Sequence, residues 1–260
     1  MSNQQFNIRQ LADQQFNLII DIGNTRVKAG LFEQNELKNS FVFETTGTLL
    51  ASDLFKKHLI KQCIVASVVD KMDSFIMLLK EKTKTLVFTS DTPTPLINLY
   101  QSAHSLGSDR LAAAVGGNFL FPGKNVLIID AGTCIKYNFV SSNNEFVGGA
   151  ISPGLQMRFK ALNTFTSRLP LLDKDENFDT LIGTTTNESI LSGVETGIIA
   201  ETEGLMEKYK QLYPDINIVF TGGDINFFEK RLKSRIFTDS FLILKGLNRI
   251  LEHNLIVSDF

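Results

Sequence analysis

The sequence predicts an α/β protein built from two related halves, each with a mixed β-sheet flanked by helices. Strand-like and helix-like segments alternate along the 260 residues, a pattern typical of α/β folds. The tetrapeptide Leu-Ile-Ile-Asp occurs twice, ending at Asp21 and at Asp130, 109 residues apart. Such a tetrapeptide is common in buried strands, but both copies continue with Gly, Thr and Lys. The spacing is about the size of a small domain, which favours duplication over a solenoid repeat.

In the first half, Asp-Ile-Gly-Asn-Thr between two apolar runs predicts a hairpin turn. The proline-rich segment 90–95 predicts a loop, because each proline restricts the residue before it. Apolar spacing and β-branched runs predict the remaining elements. The strands are expected at 18–21, 26–32, 64–69 and 85–88, and the helices at 52–62, 71–82 and 109–120.

In the second half, the strands are expected at 126–130, 134–140 and 216–220, and the helices at 155–162, 187–212 and 241–253. Glycines on both sides of a short apolar stretch at 148–154 indicate a backbone pressed close to a ligand or another strand. We place a first lobe at residues 17–115 and a second at 116–260. The sequence indicates no role for an N-terminal extension of residues 1–16.

Composition and charge exclude several classes of protein. Lys and Arg number 26 against 28 Asp and Glu, so the dense positive field of a nucleic-acid coat or polybasic membrane binder is missing. A hydrophobic fraction of 43% with 21% charged residues is typical of globular domains. No apolar run approaches the about 18 residues of a membrane span, and the polar N-terminus does not resemble a signal peptide. We expect a cytoplasmic protein with no nucleic-acid or membrane partner.

Cysteine and histidine usage argues against disulfides and zinc. Cys63 and Cys134 each lie beside an apolar run, which is typical of packed thiols. There is no Cys-x-x-Cys motif, and His58, His104 and His253 are scattered along the chain. A structural zinc site is therefore not expected.

The repeated segments combine groups that suit a bound phosphate. Glycine lets backbone N–H groups turn towards an anion, and the hydroxyl of Thr25 or Thr133 can donate to a phosphate oxygen. Lys28 adds a point charge. Asp21 and Asp130 supply hard oxygen ligands that suit Mg²⁺ through water. Neither a Walker motif nor a G-x-G-x-x-G fingerprint is present, so a phosphate binder would use another scaffold.

A third polar element, Gly107-Ser108-Asp109-Arg110, precedes a predicted helix. Ser and Asp at such a position are ordinarily N-caps. Alternatively, Asp109 lies in a cleft and accepts a proton from a substrate hydroxyl, while Arg110 holds an anionic group. Nearby His104 is a further candidate base, although a surface-loop position is the favoured explanation, because nothing recognisable in the sequence orients it.

Five segments together resemble type III pantothenate kinases, members of the actin, hexokinase and acetate kinase superfamily. The match covers almost the whole chain, and its specificity lies in the conjunction of the motifs. The segments are Asp21-Ile-Gly-Asn-Thr-Arg-Val-Lys28, Gly107-Ser-Asp-Arg110, Asp130-Ala-Gly-Thr133, Gly148-Gly-Ala-Ile-Ser-Pro-Gly154 and Thr221-Gly-Gly-Asp224. The resemblance implies actin-like (ribonuclease H-like) lobes around a central cleft that binds ATP. It also implies a homodimer that phosphorylates pantothenate at the first step of coenzyme A biosynthesis.

The resemblance also implies site residues. The ATP phosphate loop would be Asp21, Ile22, Gly23, Asn24, Thr25, Arg26, Val27 and Lys28, with Thr133 as a further ATP contact. Pantothenate would contact Tyr100, Gly107, Ser108, Asp109, Arg110 and Thr186, with Asp109 as general base. Asp130 would hold a monovalent cation, K⁺ or NH₄⁺, and Mg²⁺ would accompany ATP.

This sequence departs from the family pattern after Tyr100, where Gln101-Ser102-Ala103 replaces the frequent Asn-Pro. Two alternatives to pantothenate phosphorylation remain open. One is the same chemistry on another small hydroxy compound or sugar acid, and the other is a non-catalytic nucleotide sensor. Retention of Asp21, Asp109 and Asp130 together favours catalysis, because a sensor does not need all three.

Overall fold

The structure, a computed structural model, describes residues 15–69, 72–234 and 236–257. The chain folds into two compact units: one runs to Phe119 and resumes at Leu242, and the other is Leu120–Phe241. The expected N-terminal extension lies outside the described residues as far as residue 14, and its last two residues begin the first strand. Within the described ranges, no helix has the length and apolar character needed to cross a membrane.

The first unit contains a mixed five-stranded sheet. Its strands are β1 (Gln15–Ile22), β2 (Val27–Glu33), β3 (Glu36–Phe43), β4 (Leu59–Ser67) and β5 (Lys84–Val87), in the order β3-β2-β1-β4-β5. The first three strands form an antiparallel meander, and β4 and β5 continue the sheet in parallel with β1. Parallel strands need crossover connections, and short helices supply them here.

The helices of the first unit are α1 (Thr46–Ala51), α2 (Leu54–Lys57), α3 (Asp73–Lys80), α4 (Ser108–Leu120) and α9 (Leu242–Val257); a two-residue strand, β6, covers Ile97–Asn98. The helix expected over 52–62 is wrong in its second half. Helix α2 ends at Lys57, and β4 begins at Leu59. Its Cys63–Ala66 stretch is fully buried between β1 and β5, and burial raises the pKa of the Cys63 thiol, which is packed as expected.

The second unit repeats this arrangement. Its strands are β7 (Val126–Ala131), β8 (Cys134–Val140), β9 (Glu145–Pro153), β10 (Asn217–Thr221) and β11 (Phe237–Thr238), which follow one another across the sheet as β11-β10-β7-β8-β9. Strands β7 to β9 form an antiparallel meander, and β10 and β11 run parallel to β7. An identical order of antiparallel and parallel neighbours in both units supports the duplication inferred from the repeated tetrapeptide.

The helices of the second unit are α5 (Leu155–Phe165), α6 (Thr186–Leu191), α7 (Gly197–Leu212) and α8 (Ile225–Arg231). The single helix expected over 187–212 is interrupted by a π-helical turn at Ser192–Thr196. The core of this unit includes Phe159, Phe220, Phe227 and Phe228. Part of the phenylalanine excess therefore serves ordinary core packing.

The last helix belongs to the first unit, whereas it was expected in the second lobe, residues 116–260. Helix α9 packs against β1, β2 and β4 of the first unit. It also approaches α4 closely, since a Cβ added to Gly246 would lie 1.9 Å from the Ala112 carbonyl oxygen. Alternation of strands and helices does not reveal which sheet a terminal helix covers. The sequence pattern therefore could not predict that this helix packs on the first sheet.

Candidate active site

The predicted phosphate loop is the turn between β1 and β2. Asp21 and Lys28 are cross-strand partners at the base of the hairpin, and the Gly23 N–H donates to the Arg26 carbonyl oxygen over 3.1 Å. The tip, Asn24–Arg26, is exposed. The side chains of Ile22 and Val27 lie in the core, so these two residues can offer a ligand only their backbone.

The N-terminus of α4 is attached to the same edge of the first sheet. The Ser108 hydroxyl donates to the Ser67 carbonyl oxygen at the end of β4, over 3.3 Å. Ser67 is the β-sheet partner of Ile22, the last residue of β1. Strands β1 and β4 are parallel, so their carboxyl ends meet there. The structure therefore brings Asp109, which follows Ser108, to the sheet edge from which the hairpin turn projects.

Asp109, Arg110 and Tyr100 form a compact polar group in the first unit. The half-buried Asp109 carboxylate accepts the Arg110 backbone N–H over 2.8 Å. Arg110 is only 5% exposed, and its guanidinium lies over the Tyr100 ring, 5.3 Å from the ring centroid. A Cβ at Gly107 would lie 2.6 Å from Asp109 Oδ1. Glycine at this position therefore avoids a steric clash with the Asp109 carboxylate.

Two alternatives for this region can now be compared with the structure. Helix α4 starts at Ser108, so Asp109 lies within the first turn and is not the N-cap. A carboxylate there is still favoured by the helix dipole. His104 is exposed in a short 3₁₀ turn, Ala103–Ser105, as a surface-loop residue would be.

The second hairpin holds a nearly buried carboxylate. Asp130 is 6% exposed, and its Oδ2 accepts a hydrogen bond from Lys136 Nζ over 2.8 Å. The two residues are cross-strand partners in β7 and β8. On the other side, a Cβ at Gly222 would lie 2.7 Å from Asp130 Oδ1. Gly222 has φ +100°, a conformation that favours glycine.

The turn of the second hairpin is held by its backbone. The Gly132 N–H donates to the Cys134 carbonyl oxygen, and the Gly154 N–H donates to the Thr133 carbonyl oxygen, both over 3.1 Å. A Cβ at Gly154 would meet the Gly132 carbonyl oxygen at 2.0 Å, which confirms the close strand approach expected for the glycines at 148–154. The Thr133 side chain is exposed and accessible to a ligand.

The Thr221-Gly-Gly-Asp224 turn joins this hairpin at the carboxyl end of β10. Thr221 is the β-sheet partner of Asp130, and the Asp224 N–H donates to the Ala131 carbonyl oxygen over 3.0 Å. Burial raises the pKa of Asp224, while the charge of Lys174 lowers it. The sequence alone indicates no individual role for Asp224, although glycines directly after a buried strand are a detectable signal of a functional turn.

Thr186 belongs to the second unit, whereas the other predicted pantothenate contacts belong to the first. It begins α6, whose preceding residue Thr185 forms a capping box with Glu188. Helices α5 and α6 border a cavity of about 990 Å³, lined in part by Thr186, Leu162 and Phe165. The structure thus groups Tyr100 with Gly107–Arg110 in one unit and places Thr186 on the other.

The donor groups fit the two predicted cations differently. No cluster of three or more His, Cys, Asp or Glu side chains that could hold a metal exists in residues 15–69, 72–234 and 236–257. Mg²⁺ in kinases needs only one or two carboxylates together with substrate phosphates, so Asp21 beside the exposed turn fits. Asp130 does not fit a bound monovalent cation, because the Lys136 ammonium already lies on its carboxylate.

Solved structures with low sequence identity share this fold. A Campylobacter jejuni protein described as a Baf family transcriptional activator superposes with a TM-score of 0.63 at 22% identity, covering 92% of this chain and 99% of its own. A Listeria monocytogenes protein described as an N-acetylmannosamine kinase gives 0.54 at 16% identity, with the same coverages. These similarities confirm the actin-like fold class expected from the sequence.

Sequence comparisons are more specific. The family model described as type III pantothenate kinase matches residues 17–208. The type III pantothenate kinase of Bacteroides fragilis is 44% identical over 240 residues, which is 92% of this chain and 98% of that protein. Those of Cytophaga hutchinsonii and Flavobacterium johnsoniae are 41% and 37% identical, with 92% of this chain covered and 99% and 98% of theirs. This chain therefore belongs to the type III pantothenate kinase family.

Proposed function

We propose that the protein transfers the γ-phosphoryl group of ATP to the primary hydroxyl of pantothenate, the first step of coenzyme A biosynthesis. The observation that carries this proposal is the hydrogen bond from Ser108 to Ser67. This hydrogen bond holds the N-terminus of α4, which carries Asp109, at the carboxyl ends of β1 and β4. The phosphate-loop turn projects from the same end of the sheet. Membership of the family supplies the identity of the acceptor.

The turn between β1 and β2 binds the phosphates of ATP. Its exposed tip offers backbone N–H groups and the Thr25 hydroxyl, and Lys28 contributes a positive charge at its base. Exposed Thr133 adds a hydroxyl from the second hairpin. Mg²⁺ bound to ATP, with Asp21 as one ligand, would neutralise charge on the phosphates.

Asp109 acts as the general base. Its carboxylate accepts the proton of the acceptor hydroxyl as the new oxygen–phosphorus bond forms. The bond between the γ-phosphorus and the β–γ bridging oxygen of ATP breaks, and ADP departs with that electron pair. Phosphoryl transfer passes through a loose transition state, so positioning and charge stabilisation supply most of the catalysis. Arg110, braced by Tyr100, provides the charge that holds the pantothenate carboxylate.

We further propose that the protein is a homodimer. Phe165, Leu181 and Ile182 in the second unit are 86%, 73% and 78% exposed, and Phe165 lines the cavity bordered by α5 and α6. An exposed apolar patch on a surface is typical of an association site. Light scattering should give twice the mass of one chain, and Phe165→Asp should shift the protein towards monomer.

Replacing the base provides the mechanistic test. Asp109→Asn keeps the size and the helix start but removes the proton acceptor. We expect kcat/KM to fall by about 10²- to 10⁴-fold, with the thermal unfolding midpoint little changed. Asp91→Asn, on an exposed loop, is the matched control and should retain full activity. Near-normal turnover by Asp109→Asn would remove this residue from the role of base.

A panel of acceptors separates pantothenate from the alternatives. Small hydroxy acids and sugar acids are incubated with ATP and the enzyme, and ADP release is followed. Pantothenate should be the preferred acceptor. A faster reaction with another hydroxy compound would reassign the substrate, and ATP binding without turnover for every acceptor would indicate a nucleotide sensor.

A further inference from the structure

Each copy of the internal repeat contains a cross-strand pair of an aspartate and a lysine. The proposed function gives a role to the lysine of only one copy. In the first hairpin the pair is Asp21 with Lys28, and in the second it is Asp130 with Lys136. Lys28 is assigned to the phosphates of ATP. Lys136 has no role in the scheme above, although it occupies the corresponding register position in the second hairpin.

Lys136 is held tightly against the carboxylate. Its Nζ lies 2.8 Å from Asp130 Oδ2, and the two side chains are only 21% and 8% exposed. The other oxygen, Oδ1, lies beside Gly222, because a Cβ built on that glycine would be 2.7 Å from it. The ammonium group of Lys136 therefore already occupies the cation position at Oδ2.

The Lys136 ammonium makes a second cation on this carboxylate unfavourable. At Oδ2 an incoming K⁺ would have to displace Lys136. Two positive charges on one nearly buried carboxylate also repel strongly, because little water screens them. By contrast, a lysine side chain carries the charge and the N–H donors of NH₄⁺ and is already attached to the chain.

We propose that the ε-ammonium group of Lys136 is the resident monovalent cation of Asp130, so that phosphorylation by this protein requires neither K⁺ nor NH₄⁺. The inference rests on the proposed function for its activity measurement, and a binding measurement tests it separately. It replaces the K⁺ or NH₄⁺ site expected from the sequence with a group that the chain itself supplies.

The activity test compares salts at equal ionic strength. Pantothenate phosphorylation is measured in tetramethylammonium chloride and in KCl for the wild type, Lys136→Met and Lys208→Met. Lys208 is exposed on α7, which makes it the matched control. The wild type and the control should show equal rates in the two salts. Lys136→Met should lose activity in tetramethylammonium, by about tenfold or more as expected for a buried charge left without its partner, and recover in KCl.

The binding test needs no turnover. KCl should raise the thermal unfolding midpoint of Lys136→Met above its value in tetramethylammonium chloride, because a cation bound to the folded state stabilises it. The wild type should show no such difference. If pantothenate is not phosphorylated in any salt, the proposed function fails, and the unfolding midpoints still decide the cation question.

Three results would overturn the inference. They are a wild-type rate that depends on K⁺, a K⁺-specific rise in the wild-type unfolding midpoint, and a folded Lys136→Met that responds to K⁺ in neither measurement. Should Lys136→Met fail to fold in both salts, the wild-type measurements decide. Lys136→Arg, which keeps the charge, should then fold and be indifferent to K⁺.

Discussion

Tyr100 and Arg110, two of the proposed pantothenate contacts, touch each other in the first unit. The Arg110 guanidinium lies over the ring at 5.3 Å, whereas its Nη1 is 3.5 Å from the Tyr100 hydroxyl. Because 3.5 Å is long for a hydrogen bond, the face of the Tyr100 ring positions Arg110 more than the Tyr100 hydroxyl does. The altered residues after Tyr100 have not prevented this contact.

Tyr100 variants should separate these two contributions. Tyr100→Phe keeps the ring and should leave the KM for pantothenate nearly unchanged. Tyr100→Leu removes the π face, worth about 0.5–1 kcal/mol, and should raise that KM by about two- to fivefold. The KM for ATP serves as the internal control and should stay constant in both variants. A larger effect from Phe than from Leu would contradict the assigned contact.

The sequence predicted residues for the candidate site but not the contacts between them. Asp130 and Lys136 were both noted from the repeat, yet a contact between them depends on the register of β7 against β8. The conformation of Gly222 was equally hidden, because a positive φ is a property of the folded turn. The roles of the site residues rest on resemblance and stay predictions.

Among the elements, α7 and α9 should respond in opposite ways to replacement of a glycine by alanine. Gly204 is exposed on α7, and nothing would lie within 4 Å of an added Cβ. Gly204→Ala should therefore stabilise the protein by about 0.5–1 kcal/mol. Gly246→Ala on α9 would push a methyl group into the Ala112 carbonyl oxygen and should destabilise it by about 1–3 kcal/mol or more. Urea unfolding measures both, and equal signs would contradict the α4–α9 packing.

Elements with strong periodicity were predicted well, and the failures have physical causes. The buried strands β1, β7 and β10 were predicted from short, continuous apolar runs rich in β-branched residues. Strand β3 was not predicted, because its sequence, ELKNSFVF, is mostly exposed and polar. The π-helical turn at Ser192–Thr196 was not predicted either, since its residues continue the helical spacing of α6 and α7.

At the scale of the whole molecule, the repeated segments identify two related units, and the last helix returns to the first. Leu247 on α9 is fully buried, as is Phe159 in the core of the second unit. Leu247→Ala should cost about 2–5 kcal/mol and increase hydrogen exchange mainly in β1 and β4. Phe159→Ala should act mainly on β7 and β10. Equal exchange throughout both units in both variants would contradict the assignment of α9 to the first unit.

The near-neutral charge of the chain fits the proposed chemistry. A net charge of −2 does not favour binding a polyanion through a broad positive field, so the proposed binding of ATP relies on groups at the site itself. The exposed turn of the first hairpin, the charge of Lys28 and Mg²⁺ would provide that local attraction, while Lys136 neutralises Asp130.

The central claim is tested most directly by following the phosphoryl group itself. The wild-type protein is incubated with pantothenate and ATP carrying ¹⁸O in its γ-phosphoryl group, and the products are resolved by mass spectrometry. We expect labelled 4'-phosphopantothenate in equal amount to ADP, and its loss in Asp109→Asn. ADP release with unmodified pantothenate, or label on a different acceptor from the panel, would contradict the account.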